Sequence, residues 1–412
     1  MNATILIKNV LHNNKKTNIL IEGNRFKSMN AASDVMADTI IEADGMAILP
    51  PFYNTHTHAA MTVLRGYADD MALNEWLTEH IWPFEGTLTA EDMYLGTRLA
   101  ILEMIKSGTV FFNDMYFNVD VTTQAIREMG IRASIGATII GGHPLSVAEE
   151  RYHLVREWND PTGRIMLTPA PHAVYTVNED LLQSSYALSQ ETHTKWHIHL
   201  SETASEVQDC VKAHGTTPIR YLEQLGVLGP NVIAAHVVHV DDEEIQILKE
   251  RGVTIAHNPC SNMKLASGIF NYKKMIDAGL KITLATDGCS SNNNLDMREE
   301  MKMAALLAKV STQNPACLPA TEVFKWATVN GAQAFDIDAG VIEEGKLADA
   351  LLINLNNERM TPFHNLISNW VYAADSSCID TVICDGNIVM RNHHVEGEEE
   401  IIAAVQAKYP KR

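Results

Sequence analysis

The sequence predicts an α/β protein: a (β/α)₈ barrel that carries a small β-sandwich domain built from both chain ends. Three observations support this fold class. Eight short β-rich segments alternate with longer helical patterns over about 300 residues of the chain. Short apolar runs separated by turn residues occupy both ends of the sequence. Hydrophobic residues make up 46% and charged residues 20% of the 412 residues, which is typical of a globular protein with a sizeable core.

The two chain ends share one pattern, which predicts small antiparallel strands. The apolar runs lie at residues 4–10, 18–21, 25–28, 347–353 and 381–389. We therefore expect residues 1–50 and 346–412 to form one composite β domain. Residues 51–345 are expected to form the catalytic barrel.

Eight candidate strands fill the middle of the chain. They lie at about 47–54, 109–114, 131–138, 164–170, 196–200, 231–236, 253–257 and 282–286. Helical patterns separate them, and residues 90–106 place apolar side chains at a spacing of about 3.6 residues, with Gly108 just beyond. Eight β/α units favour a closed barrel over an open sheet, and chemistry in such barrels lies at the carboxyl ends of the strands.

Composition excludes several classes of function. Acidic residues outnumber basic ones 51 to 32, and the formal net charge of -19 disfavours nucleic acid as a partner. No apolar run is long enough to span a bilayer, and the N-terminus lacks a signal-peptide pattern. The six cysteines show no CxxC spacing, so we interpret them as reduced thiols in a cytoplasmic protein. A small-molecule substrate is expected, and the sequence leaves open whether the chain forms a homo-oligomer.

Residues of the types that bind metal ions stand at four predicted strand ends. His56 and His58 follow the first strand, and their spacing points both side chains to one side. His199 lies on the fifth strand, His236 on the sixth and Asp287 at the end of the eighth. The His-x-His pair alone is weak evidence in a chain with 17 histidines. Imidazoles and a carboxylate together suit zinc or ferrous iron, so the set predicts a divalent metal site.

Other polar residues surround this predicted site. Glu202 lies three residues after His199. It is either a proton carrier with a pKa raised by burial or a solvated carboxylate at a helix start. His236 ends the sixth strand and is expected to orient the attacking water. His257 ends the seventh strand and either lines the pocket or is a hydrogen-bonded structural histidine, while His197 is interpreted as a second-layer or packing residue.

The sequence resembles the amidohydrolase superfamily. Within its ATZ/TRZ branch it is similar to the 5-methylthioadenosine/S-adenosylhomocysteine deaminases. The motifs that carry the resemblance include Asn54-Thr55-His56-Thr57-His58, His80-Ile81-Trp82-Pro83, His199-Leu200-Ser201-Glu202, His257-Asn258-Pro259 and Thr286-Asp287-Gly288.

The resemblance implies roles for these residues. The metal ligands would be His56, His58, His199 and Asp287, and the catalytic residues would be Glu202, His236 and Asp287. It also implies that Glu85 reaches the ribose hydroxyls and that His172, Trp82 and His257 contact the substrate. Two-metal members of the superfamily carry a bridging lysine on the fourth strand. The strand at 164–170 has no lysine, so we expect one divalent ion, with zinc favoured over iron.

The activity implied is hydrolytic deamination of an adenosine-type nucleoside: methylthioadenosine, 5′-deoxyadenosine, adenosine or S-adenosylhomocysteine. A deaminase or chlorohydrolase acting on guanine, pterins or triazines is the alternative enzyme. A non-catalytic scaffold is the alternative from another class, and the complete ligand set disfavours it.

The loop after the third strand bears on the choice of nucleoside. The resemblance implies that users of S-adenosylhomocysteine place arginines there, but residues 136–147 contain none. Arg132 and Arg151 flank this stretch and are interpreted as surface residues away from the barrel mouth. An anionic group without a cationic partner loses hydration without compensation, so neutral 5′ groups are expected to be preferred.

Overall fold

The computed structural model describes residues 3–71, 73–142 and 145–410. Within these residues, the strands form one eight-stranded sheet and two four-stranded sheets. The six cysteines are all free thiols. In the described part of the chain, no helix combines the length and the apolar character that crossing a membrane requires.

The eight-stranded sheet combines both ends of the chain. Its strands are β1 (Thr4–His12), β2 (Lys15–Glu22), β3 (Arg25–Ser28), β4 (Thr39–Glu42), β5 (Met46–Leu49), β14 (Ala350–Asn354), β15 (Ile379–Cys384) and β16 (Asn387–Met390). They run in the order β16-β15-β14-β5-β1-β2-β3, and β4 pairs with β1 in parallel. The two ends join where β14 pairs antiparallel with β5. The parallel strand β4 was not predicted.

The first predicted barrel strand, 47–54, was wrong in its bounds. Met46–Leu49 belongs to the small sheet, whereas Phe52–Thr57 forms the first barrel strand, β6. Pro50 and Pro51 separate the two because proline has no N–H to donate to a strand ladder. His56 therefore lies inside the strand and His58 just beyond it.

The remaining barrel strands lie within two residues of their predicted bounds. They are β7 (Thr109–Asp114), β8 (Arg132–Ile139), β9 (Ile165–Pro171), β10 (Trp196–Leu200), β11 (Val232–His236), β12 (Thr254–His257) and β13 (Lys281–Leu284). All neighbours pair in parallel, in the orders β6-β7-β8-β9 and β10-β11-β12-β13.

Hydrogen bonds join these two parallel sheets into a closed barrel. The His199 N–H donates to the His172 carbonyl at 3.0 Å, which connects β9 to β10. At the other seam, Nδ2 of Asn54 donates to the Thr286 hydroxyl at 2.7 Å, and Thr55 and Thr283 exchange a hydroxyl contact of 2.7 Å. The fold is therefore a (β/α)₈ barrel.

Helices cover the barrel and close its mouth. They are α1 (Leu73–Glu75), α2 (Trp82–Glu85), α3 (Ala90–Ser107), α4 (Val119–Met129), α5 (Leu145–Glu157), α6 (Glu179–Thr192), α7 (Ala204–His214), α8 (Pro218–Gln224), α9 (Asp242–Arg251), α10 (Pro259–Lys264), α11 (Tyr272–Ala278), α12 (Cys289–Asn292), α13 (Met297–Thr312), α14 (Ala320–Ala327), α15 (Val329–Ala334), α16 (Leu366–Tyr372) and α17 (Glu398–Lys408). Two short 3₁₀ turns span Ala59–Leu64 and Ser376–Cys378, and a π-helical turn, Trp76–Ile81, connects α1 to α2.

Candidate active site

Three of the strands that carry site residues end in an unusual backbone conformation. Ser201 after β10, His236 at the end of β11 and Asp287 after β13 have positive φ angles of 50°, 72° and 59°. Such a conformation costs about 1–3 kcal/mol for a non-glycine residue and persists only where the surroundings enforce it. The resulting sharp turns lie at the carboxyl end of the barrel, where the predicted site residues meet.

The four predicted metal ligands come together at this end. Nε2 of His56 and Nε2 of His58 lie 3.4 and 3.3 Å from Oδ1 of Asp287. Nε2 of His199 lies 3.3 Å from Nε2 of His58. His236 is also close, because one ligand atom each from His56, His236 and Asp287 lie within 4.8 Å of one another. The cluster is a candidate metal site.

The second ring nitrogen of each histidine is held by a neighbour. Nδ1 of His58 donates to the Met115 carbonyl at 2.6 Å, and Nδ1 of His199 donates to the His172 carbonyl at 2.8 Å. A carbonyl only accepts, so in the neutral rings both Nε2 atoms keep a lone pair that faces the cluster. Nδ1 of His56 lies 3.0 Å from Nε2 of His197.

The charge of Asp287 makes the cluster a favourable place for positive charge. Burial alone would lower the pKa of His58, but the hydrogen bond and charge of Asp287 outweigh it and raise this pKa to about 9. Burial would raise the pKa of Asp287, but the adjacent His56 and His58 rings outweigh it and hold this pKa well below its usual value. Burial lowers the pKa of His56 to about 4, so that ring is neutral.

Two serine hydroxyls hold the other oxygen of Asp287. Ser261 on α10 and Ser291 on α12 donate to Oδ2 at 2.7 and 2.9 Å. The Gly288 N–H donates to Oδ1 at 2.8 Å. The carboxylate is therefore fixed in orientation, with Oδ1 facing His56 and His58.

Glu202 lies beside the metal-ligand cluster and is 6% exposed. Its Oε1 accepts a hydrogen bond from the Ser267 hydroxyl at 3.1 Å, and its Oε2 lies 3.9 Å from Nε2 of His236. Burial raises the pKa of Glu202, which favours its protonated form and suits a proton donor. Nδ1 of His236 lies 2.8 Å from Oδ1 of Asn262, which leaves Nε2 to face Glu202.

An inner pocket opens onto this cluster. The predicted residues Glu85, Trp82 and His172 line it together with Tyr116 and Tyr175. Oε1 of Glu85 and the Tyr116 hydroxyl are buried beside one another. Burial raises the pKa of the Glu85 carboxyl, and the neighbouring Tyr116 hydroxyl partly opposes this shift. The two groups give the inner pocket a polar wall that a polar ligand could contact.

His257 was predicted to contact the substrate, but it is not among the described residues that line the pocket. Its ring is 1% exposed and stacks on Phe270 with ring centroids 4.3 Å apart. Its Nε2 lies 2.8 Å from the Tyr272 hydroxyl. These rings fill the space around it, so the structure favours the hydrogen-bonded structural histidine that the sequence had left open.

The inner pocket continues into an outer cleft of about 1080 Å³. Trp82, Phe117, Ile140 and Tyr175 line both spaces, as does Glu85. The remaining described lining residues are Gly86, Met93, Gly141, Gly142, Val174, Thr176, Val177, Asn178, Glu179, His214 and Tyr221. No lysine or arginine occurs among the described residues that line it. His143 and Pro144 of the predicted arginine-free loop lie outside the described residues.

The structure also places residues at the site that the sequence does not predict there. Glu206 accepts the N–H groups of Ser201 and Glu202 at 2.9 and 2.7 Å. Ser261 and Asn262 come from α10, a short helix with no periodicity that could mark it. The spacing of Glu202 and Glu206 by four residues was a usable signal, because it places both on one side of a turn leading into a helix.

A closed barrel with histidines and a carboxylate at its strand ends has the architecture of a metal-dependent barrel enzyme. Residues 47–389 match the model of the Amidohydrolase family, and the chain belongs to this family.

Two relatives and one solved structure show what the chain is similar to within this family. The chain is 45% identical over 392 residues to a 5′-deoxyadenosine deaminase from Methanothermobacter thermautotrophicus, covering 94% of this chain and 92% of that protein. It is also 45% identical to 5-methylthioadenosine/S-adenosylhomocysteine deaminase 1 from Archaeoglobus fulgidus, with 94% and 93% coverage. A zinc-bound adenosine deaminase from Xanthomonas campestris superposes with a TM-score of 0.91 at 32% identity, covering 98% of this chain and 97% of that one.

Proposed function

We propose that this protein is a metal-dependent deaminase that hydrolyses the exocyclic amino group of an adenosine-type nucleoside. The observation that carries the proposal is the buried histidine and aspartate cluster beside Glu202, at the base of a pocket that is also lined by the polar side chains of Glu85 and Tyr116. Relatives at 45% identity with deaminase names support the substrate class.

The donor set fits one divalent ion held by His56, His58, His199 and Asp287. Nε2 of His56 is buried without a hydrogen-bond partner among the described residues, which is the state expected of a ligand atom. When bound, the ion would lower the pKa of a water molecule and so supply a nucleophile at neutral pH. Zinc is favoured because a similar deaminase structure contains it.

The chain's own residues would then move the protons. Asp287 accepts a proton from the attacking water, while His236 accepts a hydrogen bond from it and holds it toward the ring. Glu202 donates its proton to the ring nitrogen next to the reacting carbon, which makes that carbon more electrophilic. When the intermediate collapses, Asp287 returns its proton to the amino group, ammonia leaves, and the hydroxyl proton restores Glu202.

A substrate screen with metal analysis tests this proposal. Ammonia release should occur with adenosine-type nucleosides and stop when the metal is removed, with one ion per active chain. Activity on guanine, pterins or triazines alone would show that the substrate is another aminated heterocycle and not an adenosine-type nucleoside. Two ions per active chain would contradict the single-metal site, and metal-loaded protein without turnover on any of these compounds would favour the scaffold alternative.

The outer cleft favours a neutral 5′ group. The 5′ end of a nucleoside whose base reaches Glu202 would extend into this cleft, where Glu85 and Glu179 are acidic and no described lining residue is Lys or Arg. Arg132 is bound to Asp349 at the opposite end of the barrel. Arg151 on α5 is half-buried rather than on the open surface as expected from the sequence, and it is not among the described residues that line the cleft. A carboxylate would lose hydration there without a cationic partner.

We therefore expect 5′-deoxyadenosine, methylthioadenosine and adenosine to have a higher kcat/KM than S-adenosylhomocysteine. Free adenine should be a poor substrate, because Glu85 would have no ribose hydroxyl to bind. The five compounds are compared at one pH and one ionic strength. S-adenosylhomocysteine as the best substrate would contradict the charge argument.

We also propose that residues 1–50 and 346–412 form a separate composite domain with a sandwich arrangement, and that residues 51–345 form the catalytic barrel. The pairing of β5 with β14 and a separate apolar cluster that includes Ile7, Ile21 and Ile383 support this division.

A further inference from the structure

A buried carboxyl group lies behind the candidate active site. Glu300 on α13 is fully buried, and its two oxygens accept hydrogen bonds from two separate segments. The Cys260 N–H at the start of α10 donates to Oε2 at 3.0 Å. Nδ2 of Asn292 at the end of α12 donates to Oε1 at 2.6 Å. A buried carboxyl group is costly unless its oxygens are hydrogen-bonded, so these two contacts fix α10 and α12 relative to one another.

The residues next to these two contacts orient Asp287 and His236. Ser261 follows Cys260, Ser291 precedes Asn292, and both hydroxyls donate to Oδ2 of Asp287. Asn262, one residue further along α10, holds Nδ1 of His236. Asn292 also donates to the carbonyl of Thr286, the residue before Asp287, at 2.8 Å.

We propose that Glu300 is a positioning residue for the deamination reaction. By holding α10 and α12 together, it keeps the Ser261 and Ser291 hydroxyls aimed at one oxygen of Asp287. This inference rests on the proposed function, in which Asp287 accepts the proton of the attacking water. Both hydroxyls stabilise the carboxylate on Oδ2 and leave Oδ1 for the metal side, so losing either donor reorients the proton acceptor.

Glu300→Gln tests the proposal because glutamine keeps the size of the side chain but offers only one acceptor oxygen. One of the two segments then loses its contact and meets an N–H group instead. We expect kcat to fall by about 10–100-fold, since misplacing a reacting group by 1 Å can cost about 10²-fold. KM and metal content should change by less than about twofold. The matched control is Glu299→Gln, the neighbouring glutamate on α13, which binds Asn294 and should keep wild-type kcat.

Measuring the effect of Glu300→Gln on kcat with and without the two serine hydroxyls distinguishes a positioning role from general support of the fold. In the Ser261→Ala/Ser291→Ala background, Glu300→Gln should lower kcat by no more than about twofold, because the groups through which it acts are gone. An equal loss of kcat in both backgrounds would overturn the proposal. Loss of the metal in Glu300→Gln would do the same.

A spectroscopic readout makes the test independent of turnover. The visible absorption of the Co²⁺-loaded protein reports the ligand geometry, so Glu300→Gln and the double serine variant should shift it alike and Glu299→Gln should not. A wild-type protein that deaminates no nucleoside contradicts the proposed function, and the Co²⁺ spectra still decide the role of Glu300. If Glu300→Gln does not fold, the double serine variant decides, because unchanged kcat and an unchanged spectrum there would overturn the inference.

Discussion

At the scale of single residues, the candidate site depends on carboxylates placed in different surroundings. Asp287 lies against two imidazole rings that lower its pKa, whereas burial raises the pKa of Glu202. The ionised form of Asp287, which can accept a proton, is therefore favoured, and the pKa of Glu202 is shifted toward its protonated form, which can donate one. Such separation of pKa values between neighbouring groups is how acid and base roles are divided in active sites.

Glu202→Gln should lower kcat by about 10²–10⁴-fold, because glutamine keeps the size and polarity of the side chain but cannot deliver a proton. Metal content should stay at one ion per chain, since Glu202 is not among the four proposed ligands. Ammonia release and metal analysis of the same preparation check both statements. The control is Glu191→Gln, whose side chain binds Arg156 on the surface. Loss of the metal in Glu202→Gln would place this residue among the ligands.

Much of the site could be predicted from particular residues, and the rest could not. His56, His58, His199 and Asp287 follow strand patterns, so their convergence followed from the rule that barrel strands end at one mouth. Ser261 and Glu300 come from helices that pack behind the site. Their roles depend on tertiary contacts between segments distant in sequence, which no local pattern encodes.

At the scale of elements, the turn from β10 into α7 fixes Glu202. Ser201 has a left-handed conformation, and the Ser201 and Glu202 N–H groups both donate to the carboxyl of Glu206, which lies on α7. The first turn of the helix thus folds back on the strand end.

The boundary between β5 and β6 is also set by local sequence. Pro50 and Pro51 divide what the apolar pattern predicted as one strand.

Glu206 should make stability fall as pH rises. Burial raises the pKa of Glu206 to about 7 from its usual 4.5, so between these values the folded state binds more protons than the unfolded state. The free energy of unfolding of the wild type, relative to Glu206→Gln, should therefore decrease by about 3 kcal/mol between pH 4 and pH 8. Denaturant unfolding of both proteins at both pH values measures this. Glu191→Gln serves as the exposed control, and a difference independent of pH would contradict the argument.

At the scale of the whole molecule, a buried ion pair joins the barrel to the small sheet. Arg132 at the start of β8 donates from Nε to Oδ2 of Asp349, just before β14, at 3.1 Å, and also binds Asp385. The Tyr53 hydroxyl donates to the same Oδ2 at 2.8 Å. From the sequence we expect Arg132 to be a surface residue, but it is 5% exposed, because its partners come from the other end of the chain. Its position at the start of a strand, away from the barrel mouth, was as expected.

Asp349→Asn should destabilise the protein without changing its chemistry. The substitution keeps the shape of the side chain but removes one of the two carboxylate charges that compensate buried Arg132. Breaking a buried pair costs about 3–5 kcal/mol, and the remaining Asp385 should keep the loss at the lower end of this range. The matched control is Asp338→Asn, which binds Arg25 and Lys346 on the surface and should cost no more than about 1 kcal/mol. Denaturant unfolding measures both variants.

Because the pair lies at the opposite end of the barrel from the site, kcat per folded, metal-loaded molecule should stay within about twofold of wild type. Equal losses of stability in the two variants would show that the buried pair adds no more stability than a surface pair. A large fall in kcat for Asp349→Asn would show that the pair also affects the candidate active site.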